Sequence, residues 1–460
     1  MSTTPTDGGV SAKRESVVVL GGGLSGVAAA YTLAQGGVSH VTVLESGGAL
    51  GGLAGSFERD GNFFPLGYHH ILHRDWPLLF FLDRIGSLGQ VRWRRVRMLF
   101  HLDGTFYDLA TPEGFLRFPM RVSDKVRFVR LMLRAFRKRD WSDWQDRTAA
   151  DLVDAWAGSG VREVLFERLT RLKFELSCRE VSGAWLGARL HYREGSAPLG
   201  YIPGANWTTV LCDGMTRLLE QAGVRIRLNA RVARLDTADR RVIAAELEGG
   251  ERVEGDRFVS TVPTEVYLRL VGADDTPELD RIRYSALLSV ICATRQEVDP
   301  EAYWTNLATL DRTACAVFLL TSLNPTIGRP GDTCVNFVTH LRGRDQSLFR
   351  EPDDRLVARY LHDFRAVYGF ELETEWIHVS RVPMYSPVFR PNFRNPPPRS
   401  HSWDNVYFAG NYRTFPSIVS TGTALGSGVE TGEILLEDLG RRSGLSAAIH
   451  RFRLGEMPRA

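Results

Sequence analysis

Val17-Val18-Val19-Leu20-Gly21-Gly22-Gly23-Leu24-Ser25-Gly26-Val27-Ala28-Ala29-Ala30 is the stretch on which the fold turns. Four apolar residues, three of them β-branched, predict a short buried strand. The Gly cluster interrupts them, and Leu24–Gln35 is Ala-rich and predicts a helix. Gly36-Gly37 stops that helix, and residues 41–44 predict the next strand. The result is a β-α-β unit of about 30 residues. Within it, Gly21-x-Gly23-x-x-Gly26 has a dinucleotide-binding spacing. Gly21 permits a tight turn, Gly23 lets backbone approach a pyrophosphate, and Gly26 lets helix and strand pack closely. Leu24 and Ser25 open the helix, whose unpaired N–H groups favour phosphate. Glu45 ends the second strand, where a carboxylate accepts ribose hydroxyls and repels a 2′-phosphate. That argues against NADP.

A second glycine cluster follows Ser46: Gly47-Gly48-Ala49-Leu50-Gly51-Gly52-Leu53-Ala54-Gly55-Ser56. With it the chain resembles the FAD superfamily of amine oxidases, protoporphyrinogen oxidases, phytoene desaturases and UDP-galactopyranose mutases. Its motif runs from the ribose-binding Glu through a double Gly to a small hydroxyl residue, here Glu45, Gly51-Gly52 and Ser56. Ala49 and Leu53 stand where the superfamily often has Arg, a departure similar to the desaturase and mutase branches. Asn405-Val406-Tyr407-Phe408-Ala409-Gly410-Asn411 resembles the closing strand, with Asn411 in place of the usual acid. Thr423-Ala424-Leu425-Gly426-Ser427-Gly428 is similar to the Gly-Ala-x-x-Ser-Gly helix start beside the flavin, with Thr423 replacing the first Gly. Asn229-Ala230-Arg231-Val232 resembles the strand whose Val pairs through its backbone with adenine. The resemblance thus implies FAD, and a helix N-terminus aimed at the flavin to stabilise its anionic reduced form.

The chemistry of the middle is less specific. Phe64-Pro65-Leu66-Gly67-Tyr68-His69-His70-Ile71-Leu72-His73 holds three His within five residues. No Cys or carboxylate lies at ligand spacing, so no metal is expected. The stretch resembles the Gly-x-His-x-Phe-His segment of the mutases, with His70 and His73 in the His places. His70, Arg413 and Tyr385 are the candidate catalytic residues. His70 and Arg413 are expected in one pocket, the first for proton transfer and the second to orient an anionic group. Residues 199–204 resemble a protoporphyrinogen-oxidase turn, with Asp213-Gly214-Met215-Thr216 starting the next helix. No Lys follows Lys173, so the Lys that most monoamine oxidases keep at the flavin is missing. Arg413 and Arg381 are the candidates for the paired diphosphate-binding Arg of the mutases.

Asp103-Gly104 predicts a hairpin between residues 98–101 and 105–109, and residues 113–140 and 148–190 read as helical. Runs at 286–294, 314–321, 334–340 and 376–382 suit an antiparallel sheet, and residues 383–398 are Pro-rich and loop-like. The fold class expected is α/β: a discontinuous Rossmann-like FAD-binding domain with an α+β substrate domain carrying an antiparallel sheet and a helical insertion. The FAD domain is assigned 15–75, 200–265 and 400–445, the substrate region 76–199 and 266–399, and 1–14 a disordered tail.

Formal net charge is +3 over 460 residues, which gives no ground for nucleic-acid binding. Five dispersed Cys suit a reducing compartment, and residues 1–15 show no signal peptide. No run of 18 apolar residues occurs. A cytoplasmic location is expected. Residues 113–140 interleave Arg and Lys with Phe, Leu and Val, a pattern that can rest on an anionic membrane or simply pack on its own domain. The expected activity is FAD-dependent hydride removal from a C–H or C–N bond of an amphipathic or anionic small molecule. The rivals are a mutase-like isomerase working through reduced flavin, and a non-catalytic carrier.

Overall fold

A computed structural model describes residues 15–192, 197–272, 275–299, 301–309 and 312–455. The expected tail at 1–14 lies outside the described residues. Five parallel strands form the first sheet, in the order Val406–Phe408, Arg257–Ser260, Ser16–Leu20, His40–Leu44 and Arg225–Arg227. The Val17–Leu20 run sits in the middle, buried on both faces, as a continuous apolar strand requires.

Leu24–Gln35 covers one face of that sheet, and Thr421–Asp438 packs along it. Small residues set their approach. A Cβ on Gly428 would stand 2.1 Å from the Ser25 carbonyl oxygen, and one on Gly432 would stand 2.7 Å from the Thr32 Cβ. Trp76–Arg84 buries Leu78, Phe80 and Phe81 in the same core, so this segment packs with the parallel sheet although the sequence suggested the substrate region.

The second sheet has seven strands, ordered Trp376–Pro387, Tyr284–Thr294, Thr333–Leu341, Ala316–Leu319, Ala302–Leu307, Arg97–Leu102 and Thr105–Asp108. All pairs are antiparallel except Ala302–Leu307 with Arg97–Leu102. The predicted loop after 382 begins later: strand pairing carries through Pro383 to Pro387, with a register shift opposite Ser285/Leu287. An edge strand needs no donor on its outer side, so it tolerates Pro. Asp353–Tyr368 covers one face of the sheet through Leu356, Tyr360 and Phe364.

The helical insertion holds Val122–Arg137, Ala149–Trp156, Glu167–Phe174 and Gly183–Tyr192 around a core of Trp141, Trp144, Phe166 and Phe174. The architecture is therefore α/β, with a Rossmann-like parallel sheet beside an α+β region.

Candidate functional site

Between the two sheets lies one continuous cavity of about 1280 Å³. Its first half is built from backbone. Gly21, at φ +100°, turns the chain where a Cβ would meet the Thr261 hydroxyl at 2.8 Å. A Cβ on Gly26 would stand 2.0 Å from the Gly21 carbonyl oxygen, so Gly26 is a packing residue rather than a wall of the cavity. Gly23 faces open space: nothing but the Gly52 Cα lies within 4.0 Å of its would-be Cβ. The second glycine cluster abuts the first through Gly51 N–H donating to Gly22 O at 2.9 Å. Gly23 caps the Leu24–Gln35 helix without a side-chain bond, and no acidic residue occupies the first turn. The first-turn amides therefore face the cavity beside Gly23, Leu24, Ser25, Gly51, Gly52 and Leu53.

Backbone also aims Glu45. Gly22 N–H donates to its Oε2 at 2.8 Å and Gly47 N–H to its Oε1 at 2.7 Å. Ser46 Oγ also donates to Oε1, at 3.3 Å, and Oε2 keeps a further acceptor site for a hydroxyl group. Ser46 lines the cavity beside it. Ala230 N–H donates to Glu45 O and Asn229 N–H to Gly47 O, so the 229–232 segment borders this carboxylate. Val232 itself is half-buried, opens the Val232–Ala238 strand, and lies outside the cavity wall.

The opposite rim comes from the other end of the chain. Gly410 N–H donates to Ser427 Oγ at 3.0 Å, and Ser25 Oγ donates to Ala424 O at 2.8 Å. Gly410, Asn411, Thr423 and Ala424 all line the cavity. Thr423 has a role that the motif does not reveal. It completes a capping box with Ser420, whose Oγ accepts from Thr423 N–H at 3.1 Å while Thr423 Oγ1 accepts from Ser420 N–H at 2.9 Å. The helix thus starts at Thr421, and its end is not bare. Asp75 Oδ2 accepts from Gly422 N–H at 3.2 Å, and desolvation raises this carboxyl to about 6 despite that bond.

These features fit FAD. An open Gly-lined cradle at an uncapped helix end suits the pyrophosphate, and Glu45 suits the ribose. Gly410, Asn411 and the capped helix line the rest of this half and would border the ring system.

The second half of the cavity is built from side chains of the seven-stranded sheet and the insertion. Tyr68 stacks on Phe318 with ring centroids 4.2 Å apart, and Lys173 Nζ donates to the Tyr68 hydroxyl at 3.2 Å. The Tyr68 and Tyr385 hydroxyls are close enough to act on each other's ionisation. Burial pushes the Tyr68 hydroxyl up, but the Lys173 charge and hydrogen bond, with the Arg189 charge, outweigh it and bring Tyr68 below the ordinary tyrosine value. Burial and the neighbouring Tyr68 raise Tyr385 well above it. Burial holds His340 well below the usual imidazole range, helped by Lys173 and Arg189, and its Nδ1 has no hydrogen-bond partner among the described residues.

His70 lines this half, its Nδ1 3.3 Å from the Tyr303 hydroxyl. Burial, His69 and Arg189 lower its pKa to about 4, so it is neutral at neutral pH. The three neighbouring imidazoles diverge: His69 Nε2 meets Leu53 O at 3.1 Å, and His73 packs on Trp93.

Arg413 is not where the sequence placed it. Its Nε donates to Pro396 O at 3.0 Å, and its Nη1 to Phe408 O at 3.1 Å and Thr431 Oγ1 at 2.9 Å. The chain turns after Gly410, and the guanidinium folds under the closing strand to satisfy buried carbonyls. The expected His70–Arg413 pocket is therefore not formed. Arg381 is likewise engaged elsewhere, with Phe349 O, Glu351 O and Asp353. The helix expected to start at Asp213 starts at Trp207, and Gly214 lies mid-helix because its would-be Cβ meets Ile85 at 2.6 Å.

Sequence reasoning passed over Tyr68, Lys173, Arg189 and His340. A signal was present for Arg189, a lone Arg in the apolar run Ala184-Trp185-Leu186-Gly187-Ala188. Lys173 is one of four Lys in the chain.

Cradle, carboxylate and closing helix together fit a flavin-binding site. The family model for flavin containing amine oxidoreductases matches residues 24–434, and the chain belongs to that family. It is an FAD-dependent enzyme. A candidate protoporphyrinogen oxidase from Exiguobacterium sp. 255-15 is similar in structure at 17% identity and TM-score 0.72, covering 92% of this chain and 98% of that one. A putrescine oxidase is similar at 14% identity and TM-score 0.69, covering 92% and 99%. A reduced UDP-galactopyranose mutase is similar at 15% identity and TM-score 0.70, covering 95% and 99%. At such identities the likeness shows the fold alone. No curated protein matches the sequence.

Proposed function

We propose that this enzyme removes a hydride from a C–H or C–N bond of a small molecule with a largely apolar body. The observation that carries this reading is the continuity of the cavity, in which the glycine cradle opens onto an aromatic chamber. Bound FAD supplies the two-electron acceptor. Phe166, Leu172, Trp304 and Phe318 line the chamber and exclude water from it. His70, neutral and weakly basic, is suited to hydrogen-bonding rather than proton abstraction. Lys173 donates to the Tyr68 hydroxyl, and the Lys173 and Arg189 charges make Tyr68 the more acidic of the two tyrosines on this wall. The test is anaerobic titration of the yellow protein with candidate substrates. Bleaching in a single turnover supports the reading. Turnover that needs prior dithionite reduction and leaves no net redox change overturns it in favour of an isomerase, whose two candidate Arg are both engaged outside this cavity.

We also propose a peripheral contact with an anionic membrane. No helix among the described residues is long and apolar enough to cross a bilayer. Val122–Arg137, however, has two apolar faces. Phe128, Leu131 and Ala135 pack on the insertion, while Val122, Val126, Val129, Leu133 and Phe136 repeat at helical spacing on the exposed side. With Leu116 they make six of the twelve exposed large apolar residues among the described residues, so the patch is concentrated. Exposed Arg130, Arg134 and Arg137 flank it, which suits an anionic lipid surface. Phe136 also lines the cavity, so the patch adjoins its mouth. Co-sedimentation with phosphatidylglycerol vesicles should be lost in Val126→Asp/Leu133→Asp and weakened by salt. Equal sedimentation of the variant, or a dimer in solution that covers this face, overturns the contact.

A further inference from the structure

Two cations, Lys173 and Arg189, line the chamber, and the carboxylates that line the same cavity among the described residues are Glu45 and Asp75. Glu45 lies in the cofactor half and Asp75 at its seam with the chamber, and backbone amides of Gly22, Gly47 and Gly422 hold them. On the wall formed by Tyr68, Tyr385 and His340 the cations are Lys173 and Arg189, and no described carboxylate faces them.

Neither cation is there by default. Arg189 sits in Gly183–Tyr192, where Ala184, Trp185, Leu186, Ala188 and Leu190 are buried. That helix is pressed inward so closely that a Cβ on Gly187 would stand 2.1 Å from the Trp141 ring. Its guanidinium lies over the Trp185 ring, 5.8 Å from the centroid, and the ionisable groups that act on it are Tyr68 and Tyr385. Lys173 Nζ lies 5.6 Å from the Tyr385 ring centroid and donates to Tyr68. Two cations thus converge on one pair of phenols, and burial desolvates the Arg189 guanidinium. A desolvated charge without a partner is costly unless a counter-ion arrives. Arg offers a fixed fork of donors and Lys a point charge, a combination that suits a carboxylate or phosphate.

We propose that Lys173 and Arg189 form the anchor for an anionic group of the substrate, a carboxylate or a phosphate monoester. Its apolar body lies against Phe166, Leu172 and Phe318. This rests on the oxidoreductase reading above and adds the substrate class. The same charges repel a protonated amine, so the chamber selects against cationic polyamines. Once bound, the anion neutralises the two cations that favour ionised Tyr68, so binding and proton affinity in this wall are linked.

The test uses decanoate, decyl phosphate, decanol and decylamine below their micelle concentrations, with the FAD-loaded full chain. Binding is read by quenching of tryptophan fluorescence, since Trp185 and Trp304 line the cavity, and by the shift of the flavin absorption band. Decanoate or decyl phosphate should bind at least about tenfold more tightly than decanol and decylamine, the scale of a charge-assisted hydrogen bond. The stronger of the two identifies the anion. Arg189→Met and Lys173→Met should each lose about that factor for the anions and leave decanol unchanged, while Arg189→Lys keeps part of the preference. Decylamine binding as tightly as decanoate overturns the proposal, as does unchanged anion affinity in folded Arg189→Met. A chain that takes up no FAD yet binds decanoate through Arg189 overturns the flavoenzyme reading and leaves the anchor standing. A flavin-loaded chain indifferent to ligand charge does the reverse.

Discussion

The cofactor cradle is made of backbone, and the substrate chamber is made of side chains. In the cradle, glycines at 21, 23, 51, 52 and 410 leave the backbone open to the cavity, and the Glu45 carboxylate is aimed by amides. In the chamber the distinguishing groups stand on helices and strands that are far apart in sequence. Lys173 and Arg189 come from the insertion, Tyr68 from the segment after the second glycine cluster, and Tyr385 from the last strand of the second sheet. A backbone device depends on local spacing and resists substitution. A side-chain device can be rebuilt one residue at a time, which is how one fold serves many substrates.

The sharpest way to break this contrast is Gly428→Val. With a Cβ only 2.1 Å from the Ser25 carbonyl oxygen, the closing helix must move off the first helix. We expect loss of bound flavin and destabilisation of about 3 kcal/mol or more, read by flavin content and chemical denaturation. Gly426→Ala, two residues earlier on the same helix, would place its Cβ 3.6 Å from Pro77 and should be tolerated. Equal behaviour of the two would show that the glycines are not spacers.

Next in size is Glu45→Ala. It removes the ribose acceptor and leaves the Gly22 and Gly47 amides without their partner. FAD affinity should fall by about 1–3 kcal/mol without unfolding, measured by titrating apoprotein with FAD. Lys173→Met in the chamber should leave FAD affinity alone, and an equal loss in both variants would dissolve the distinction between the halves.

The smallest effect concerns Asp75, at the seam. Its carboxyl is raised to about 6, so the folded state binds a proton more tightly than the unfolded chain, where the value is near 3.8. The extra stability is present below the unfolded value and is lost as pH rises through about 6. Asp75→Asn should flatten the stability profile between about pH 4 and 6, by on the order of 2 kcal/mol. An unchanged slope in thermal melts across that window would exclude Asp75 as its source.

The same contrast explains what could be read in the sequence. Gly21, Gly23, Glu45, Gly51 and Gly52 stand out because backbone geometry restricts the residue at each place and fixes the intervals between them. Arg413 misled because its neighbours predicted its address but not its direction. A buried side chain turns to the unsatisfied carbonyls within reach, here those of Pro396 and Phe408. Thr423 read as a blemish in a glycine motif until its partner Ser420 revealed a capping box. Tyr68 and Lys173, 105 positions apart, carry no spacing rule that joins them. Only the packing of the insertion on the second sheet brings them within hydrogen-bonding distance.

The contact between Ser25 and Ala424 spans 399 positions of the chain. A ribosome adding about 5–20 residues per second needs roughly 20–80 s to make the second partner after the first. During that interval the Leu24–Gln35 helix has a face of Ala and Gly and no closing helix to cover it. The cofactor's two rims are thus the first and nearly the last parts of the site to be synthesised. Flavin capture becomes a late event in the life of each molecule, and a truncated or stalled product would leave the ribosome without a finished cradle.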